Sequence, residues 1–391
     1  MNFWSTVPRP LFGLSPMDGV TDACFRHVIA QQGKPDLVFT EFTHVHDVCR
    51  GPEILLETLV YSELERPIVA QLYGKDPVLF YQAAHAACEL GFDGIDVNMG
   101  CPSKNVASSG SGAALIRTPE LAHAILRATR QGIADWAGGQ TLEQAGFKSA
   151  RVAALQRLNR ERTGAVLAVR RQIPLSVKTR LGYDCVTVEA WIEHLLKEQP
   201  AAISLHGRTL QQMYKGSADW SAIGRAVTLV HGTGTLLLGN GDVQSLDDAL
   251  QRIRETGVDG VLVGRAVLGA PWFFREKERV RQAVSPRDDR TVSPVQDPGP
   301  SLDRRFAILL DHARQFEALY GQDQFHRMRK HLGWYCKAFP YAAALRARMF
   351  QVSSVDELQS LIAEFQASSI QLPPESDPID DPPALVSRCS S

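Results

Sequence analysis

Eight short apolar runs recur between Leu11 and Ala266, most of them followed by a segment of helical periodicity. They are Leu11–Met17, Asp36–Phe42, Pro67–Tyr73, Gly94–Gly100, Pro174–Arg180, Ala202–Arg208, Leu236–Asp242 and Gly260–Ala266. Runs this short and apolar on both faces read as strands of a parallel sheet that is covered on both sides. Between them Pro77–Leu90, Pro119–Arg130, Val188–Glu198 and Ser245–Thr256 read as helices. Ser245 is placed as an N-cap, with Asp247 and Asp248 in the first turn behind it. The pattern predicts an α/β fold, a TIM (β/α)8 barrel. A doubly wound open sheet is the competitor, but it usually has fewer strands and carries a G-x-G-x-x-G after the first, which is absent here.

The chain of 391 residues is long enough for such a barrel and a smaller second domain. The barrel is expected over 1–284. Some 43 residues separate Arg130 from Pro174, more than a βα connection needs, so an insertion is expected at about 131–163. Its basic run (Lys148, Arg151, Arg157, Arg160, Arg162) reads as a solvated helical excursion. A Pro-rich linker at 285–301 leads to a helical domain at 302–368, and an acidic tail at 369–391 reads as disordered. Residues 302–350 carry nine basic against four acidic side chains, with Trp334, Tyr335 and Phe339 interleaved. That composition suits a nucleic-acid backbone, or equally a helical cap with solvated charges.

No apolar run approaches the ~20 residues of a membrane span, and the N-terminus does not read as a secretion signal. Seven scattered cysteines without a C-x-x-C pair argue against a disulfide framework and against a metal site. A cytoplasmic protein without metal, and a monomer, is expected.

In a barrel of this kind the chemistry sits at the C-terminal ends of the strands. Those ends carry Met17-Asp18, Glu41, Gln71, Asn98 to Cys101, Lys178, Arg180, His206, Arg208, Asn240-Gly241-Asp242 and Gly264-Arg265. Lysine is almost never buried without a partner, so Lys178 calls for an anion or an electron-rich ring, or else a structural pair with Glu41. The loops after the last two strands are the common phosphate site of the fold. A phosphate there, lined by Lys178 and His206, fits FMN, and Gln71 is placed for the pyrimidine edge of its ring.

PMDGVTD (Pro16–Asp22), TEF (Thr40–Phe42), VAQLYG (Val69–Gly74), DVNMGCPSKNV (Asp96–Val106) and GSGAALI (Gly110–Ile116) occur in that order. VKTRLGYD (Val177–Asp184), HGRT (His206–Thr209), NGD (Asn240–Asp242) and VGRAVLGAPW (Val263–Trp272) follow. As an ordered set they resemble the tRNA-dihydrouridine synthases over roughly residues 11–350. The departures are Ser15 before Pro-Met and the insertion at 131–163. The resemblance implies reduction of a specific uridine in the tRNA D-loop to 5,6-dihydrouridine. NADPH (or NADH) would be the reductant, FMN N5 the hydride donor to uracil C6, and Cys101 the acid that protonates C5. Pro16, Met17, Gln71, Lys178, His206, Asn240, Gly241, Asp242, Gly264 and Arg265 would bind the cofactor. Asn98, Lys104, Asn105, Arg180 and Arg208 would meet the base or its phosphates, with Tyr183 and Tyr214 placed to stack. A mostly protonated thiol suits the acid role. The competing readings are an FMN barrel that reduces a small molecule and an RNA-binding barrel without activity.

Overall fold

The computed structural model describes residues 2–164, 169–283 and 299–369. Nearly all of the expected linker and all but Ser369 of the expected tail lie outside these residues. Nine strands form one sheet: β1 (Leu11–Leu14), β2 (Val38–Phe39), β3 (Thr43–His44), β4 (Ile68–Tyr73), β5 (Gly94–Met99), β6 (Leu175–Arg180), β7 (Ala202–His206), β8 (Leu236–Asn240) and β9 (Gly260–Val263). Their order is β1-β9-β8-β7-β6-β5-β4-β2, with parallel pairings throughout and β3 also paired to β4. The ring closes where Asp36 N–H donates to Phe12 O (2.9 Å) and Leu14 N–H to Leu37 O (3.0 Å). The fold is the TIM barrel that the sequence predicts.

The second apolar run differs from expectation. Val38 and Phe39 pair with Ile68 and Val69, whereas Thr43 and His44 pair with Leu72 and Tyr73. Thr40–Phe42 therefore opposes a shorter stretch of β4, as a bulge does; the run holds only β2, and β3 begins just beyond its end. The Thr40 hydroxyl takes the Gln71 N–H at 3.0 Å, replacing a ladder bond.

Helices on the outside start where short polar side chains cap them. Asp22, Asp76, Asp219 and Ser245 each accept from backbone N–H groups of the first turn. The lower interior is apolar, with Trp4, Phe39, Val69, Leu236 and Leu262 in one cluster. Above it the parallel register stacks polar side chains in layers. Gln71, Asp96 and Ser176 face one another across β4, β5 and β6, and Asn98, Lys178 and Ser204 lie one layer higher. Arg180, His206 and Asn240 form the uppermost layer.

The insertion is corrected in two respects. The helix expected to stop at Arg130 runs on as Pro119–Ala137, burying Trp136, whose indole N–H donates to Glu89 Oε2 at 2.9 Å. The basic helix Ser149–Thr163 is no solvated excursion. Asn159 Nδ2 donates to Glu89 O (2.7 Å), Arg162 Nη2 to Leu90 O (2.9 Å), and Arg162 pairs with Glu63. Arg151 donates to Gly51 O and Arg157 pairs with Glu53. The basic residues buttress the barrel wall.

A second unit comprises Leu268–Ala270 and the residues from Gly299 on. Its helices are Leu302–Tyr320, Arg329–Tyr335, Ala342–Met349 and Val355–Ser369. Tyr335 is buried, and Phe339 packs edge-on against Phe306 and Phe365, so these aromatics do not form the exposed face that composition suggested. Arg304, Arg314 and Arg348 are exposed, Arg348 paired with Glu364. No helix among the described residues is long and apolar enough to cross a membrane.

Barrel closure depends on Gly260, because a Cβ there would stand 2.3 Å from Leu11 O. Gly260→Ala is expected to cost about 2 kcal/mol or more through forced separation of β1 from β9. An unchanged melting temperature would contradict this packing.

Candidate active site

β5 ends in Asn98 and Met99, and the chain turns at Gly100-Cys101-Pro102. The turn is held from within: Asn98 Oδ1 accepts the N–H groups of Gly100 (3.0 Å) and Cys101 (2.8 Å). Arg180 closes it from β6, with Nε donating to Gly100 O at 2.6 Å. Gly112 has φ of +61°, and a Cβ there would lie 3.2 Å from Cys101 Cβ, so the segment after the Ser/Gly loop passes directly over the cysteine. The thiol is 7 % exposed. Burial pushes its pKa up, the Ser103 backbone N–H lowers it, Asp18 raises it, and Arg180 and Lys178 draw it back. Tyr73, held up at about 12 by burial and then by Asp47, Asp18 and the thiol, stands nearby as a neutral phenol.

Lys178 is not paired with Glu41. Burial and then Arg180 lower it to about 8, against Asp96 and Cys101, which raise it. His206, one layer up on β7, is driven far below the ordinary imidazole range. Burial comes first, followed by Arg180, Lys178, Arg208 and Arg265. A buried imidazole kept neutral by four nearby cations marks this mouth of the barrel as strongly positive. Asp242, with φ of +54°, is the acidic counterweight at its edge. It accepts from Arg208 Nη2 (2.6 Å), Arg265 Nη2 (2.8 Å) and Ala218 N–H (2.8 Å). Gly241 adds a close approach: at φ of +125° a Cβ would lie 2.8 Å from Ala218 Cβ and 3.1 Å from His206 Cδ2. Asn240 Nδ2 donates to Leu262 O (2.8 Å), tying the β8 loop to β9. Pro16 and Met17 sit on a turn pinned by Thr21, whose hydroxyl bridges Met17 N–H and O. Gly264 lies against Met17, whose Sδ is 3.5 Å from where a glycine Cβ would be.

The structure thus brings Cys101, Asn98, Gln71, Lys178 and His206 together, but it reassigns several side chains. Arg180 and Arg208, expected to meet the base or its phosphates, are 4 % and 3 % exposed. Arg180 also donates to Thr209 O, and Arg208 to Lys215 O and Gly216 O. They are struts of the loops around the cavity. Gln71 and Asn98 turn their amides on each other (Asn98 Nδ2 to Gln71 Oε1, 3.0 Å), and Gln71 Nε2 donates to Asp96 Oδ2 at 2.8 Å. Lys104 and Asn105 are exposed on the short helix Lys104–Ser108. Tyr183 is capped by Arg117, 3.8 Å above its ring, whereas Tyr214 is 62 % exposed.

Asp96, Ser176, Ser204 and Tyr73 were missed. Alternation along β5 would have shown Asp96 on the same face as Asn98. Ser204 Oγ is buried without a partner at the level of Lys178. His44, His46 and Asp47 bring ligand atoms within 4.8 Å of one another, and nothing at that cluster identifies an ion.

Residues 13–135 and 158–370 match the dihydrouridine synthase (Dus) family model. The chain is 33% identical over 374 residues to a "Probable tRNA-dihydrouridine synthase" of Staphylococcus epidermidis, covering 94% of this chain and 97% of that one. It is 33% identical over 370 residues to "Probable tRNA-dihydrouridine synthase 2" of Bacillus subtilis, covering 93% and 97%. Among solved structures, histamine dehydrogenase from Rhizobium sp. 4-9 aligns at 15% identity and a TM-score of 0.44, over 69% of this chain and 46% of that one. The chain belongs to the dihydrouridine synthase family of oxidoreductases. Residues 136–157, between the two matched parts, fall in the buttress.

Glu41, in the bulge, is raised to about 7 by burial, then by Asp22, against Arg26. A carboxyl whose folded pKa is raised loses stability as pH rises from its unfolded pKa to its folded one. Glu41→Gln is therefore expected to stabilise the protein by up to about 3 kcal/mol near pH 8 and by little near pH 4. Melting temperatures across that range check it; an equal effect at both ends would contradict it.

Proposed function

We propose that the protein reduces a uridine in the D-loop of tRNA to 5,6-dihydrouridine, with FMN as cofactor and NADPH (or NADH) as reductant. The observation that carries this reading is a buried thiol at the end of β5, pushed up by burial, at the same barrel mouth as Lys178, Arg180 and His206.

The residues present fit FMN. Lys178, His206 and Arg265, with the loops at Asn240–Asp242 and Gly264-Arg265, supply cationic and backbone donors for a phosphate. Gly241 lets the β8 loop pass close against Ala218 and His206, and Ser204 Oγ is a buried hydroxyl with no protein partner. Pro16 and Met17, just past the end of β1, stand beside Gly264. When bound, FMN supplies the hydride that reaches uracil C6, drawn in turn from the nicotinamide.

The protein's own residues then complete the reduction. A uracil must leave its stack to enter, and the loop at Ser103–Ser111, carrying Lys104 and Asn105, lies where it enters. Cys101 holds its proton at neutral pH because burial keeps the thiol protonated, and it passes that proton to C5. The thiolate left behind faces Lys178 and Arg180, whose charges favour it until solvent returns a proton. Exposed arginines of the helical unit at 302–368 serve the tRNA backbone, and Tyr214 is free to stack.

Cys101→Ala is expected to leave nicotinamide-driven flavin reduction within about twofold of wild type. Dihydrouridine formation should fall on the order of a hundredfold, the scale of lost acid catalysis. Undiminished dihydrouridine in digested tRNA would remove the acid from Cys101. Arg304→Glu with Arg314→Glu is expected to weaken tRNA binding about tenfold, more so at low salt, with flavin reduction unchanged. Binding insensitive to that charge reversal would leave the small-molecule reductase as the better reading.

A further inference from the structure

Beneath the cysteine runs a buried chain of hydrogen bonds with a fixed direction. Ser176 Oγ donates to Asp96 Oδ1 at 2.7 Å, and Gln71 Nε2 donates to Asp96 Oδ2 at 2.8 Å. Asn98 Nδ2 donates to Gln71 Oε1 at 3.0 Å, and Asn98 Oδ1 accepts from Gly100 and Cys101. Asp96, Gln71 and Ser176 are each no more than 1 % exposed, and Asn98 is 6 % exposed. Water is therefore a poor substitute for any member.

The direction follows from donor chemistry. A carboxylate only accepts, so Gln71 must turn its NH2 towards Asp96. Its carbonyl then faces Asn98, and Asn98 must answer with its own NH2. That leaves Asn98 Oδ1 for the two backbone N–H groups that define the turn. Flipping either amide sets NH2 against N–H or oxygen against oxygen, in a place where an unmade bond is costly. The parallel register makes the arrangement possible, because Gln71, Asp96 and Ser176 are direct cross-strand neighbours. Burial raises Asp96 to about 6, and the hydrogen bonds from Ser176 and Gln71, then Lys178, next to Asn98 in register, favour its ionised form.

We infer that Asp96 is a positioning residue. Its carboxylate orients the amides of Gln71 and Asn98, and through them fixes the Gly100-Cys101 backbone and the place of the thiol. This rests on the reading of Cys101 as the proton donor. Asp96 touches neither base nor thiol; it acts through two amides.

Asp96→Asn keeps the shape of the side chain but can donate as well as accept, so the direction of the chain is held only by the Gly100 and Cys101 N–H groups at its other end. In the holoenzyme, oxidation of the pre-reduced flavin by tRNA is expected to slow on the order of tenfold or more. Flavin reduction by NADPH should stay within about twofold. The pH profile of Cys101 alkylation by iodoacetamide, read by mass spectrometry of its peptide, is expected to shift. The double change Asp96→Asn with Gln71→Glu transposes the carboxylate. The amide placed at 96 donates to the carboxylate placed at 71, Asn98 again gives its NH2, and its Oδ1 is returned to the turn.

The double variant is expected to recover the wild-type alkylation profile, which a merely structural loss would not do. Wild-type behaviour of Asp96→Asn in both the tRNA half-reaction and the alkylation profile would overturn the inference. So would a folded double variant whose profile stays shifted. If Asp96→Asn melts far below wild type, the double variant alone decides in the same way. A wild-type protein that makes no dihydrouridine, yet shows the shift and its recovery, would refute the proposed function and leave the positioning role standing.

Discussion

The site depends on the register of the parallel barrel. Because neighbouring strands are aligned residue for residue, every second side chain on β4, β5, β6 and β7 enters the interior at a common height. The lower layers are apolar and rigid, and polar groups begin only at Gln71, Asp96 and Ser176. Buried there, they must satisfy one another, and the layers above inherit their orientation. A one-residue slip of β5 would turn Asp96 and Asn98 to the outer face and leave Cys101 without its support.

Charge is partitioned across the same layers. On the β5 side a thiol and a carboxylate are neighbours of Lys178; on the β7–β9 side Arg208 and Arg265 are balanced by one carboxylate, Asp242. His206 lies among the cations and is kept neutral by burial and by their charge. The proposed phosphate site is thus cationic, while its imidazole remains neutral. The cations that would hold a phosphate on one side stabilise a thiolate on the other.

Much of this was legible in the sequence, for physical reasons. The eight apolar runs place the strands because a strand buried on both faces cannot hide its composition. Cys101, Lys178 and His206 stand at strand ends, where a polar side chain on an otherwise apolar strand marks the mouth of the barrel. The roles of Arg180 and Arg208 were not legible. A long guanidinium stem can reach outwards to solvent or back to a carbonyl, and only the coordinates show that these turn back to Gly100, Thr209, Lys215 and Gly216. The bulge at Thr40–Phe42 was hidden because nothing in its composition separates it from a continuous strand. The basic insertion misled because ion pairs to Glu53 and Glu63 and bonds to Gly51 and Leu90 depend on residues some 70 to 100 positions away.

The central claim is that this cavity joins a flavin to a uridine. The most direct test is to incubate the purified protein with an unmodified tRNA transcript and NADPH, then cut the RNA with a base-specific ribonuclease and weigh the fragments. A yellow protein and a D-loop fragment two hydrogens heavier are expected. A protein that oxidises NADPH through bound flavin while the tRNA stays unmodified would contradict that claim.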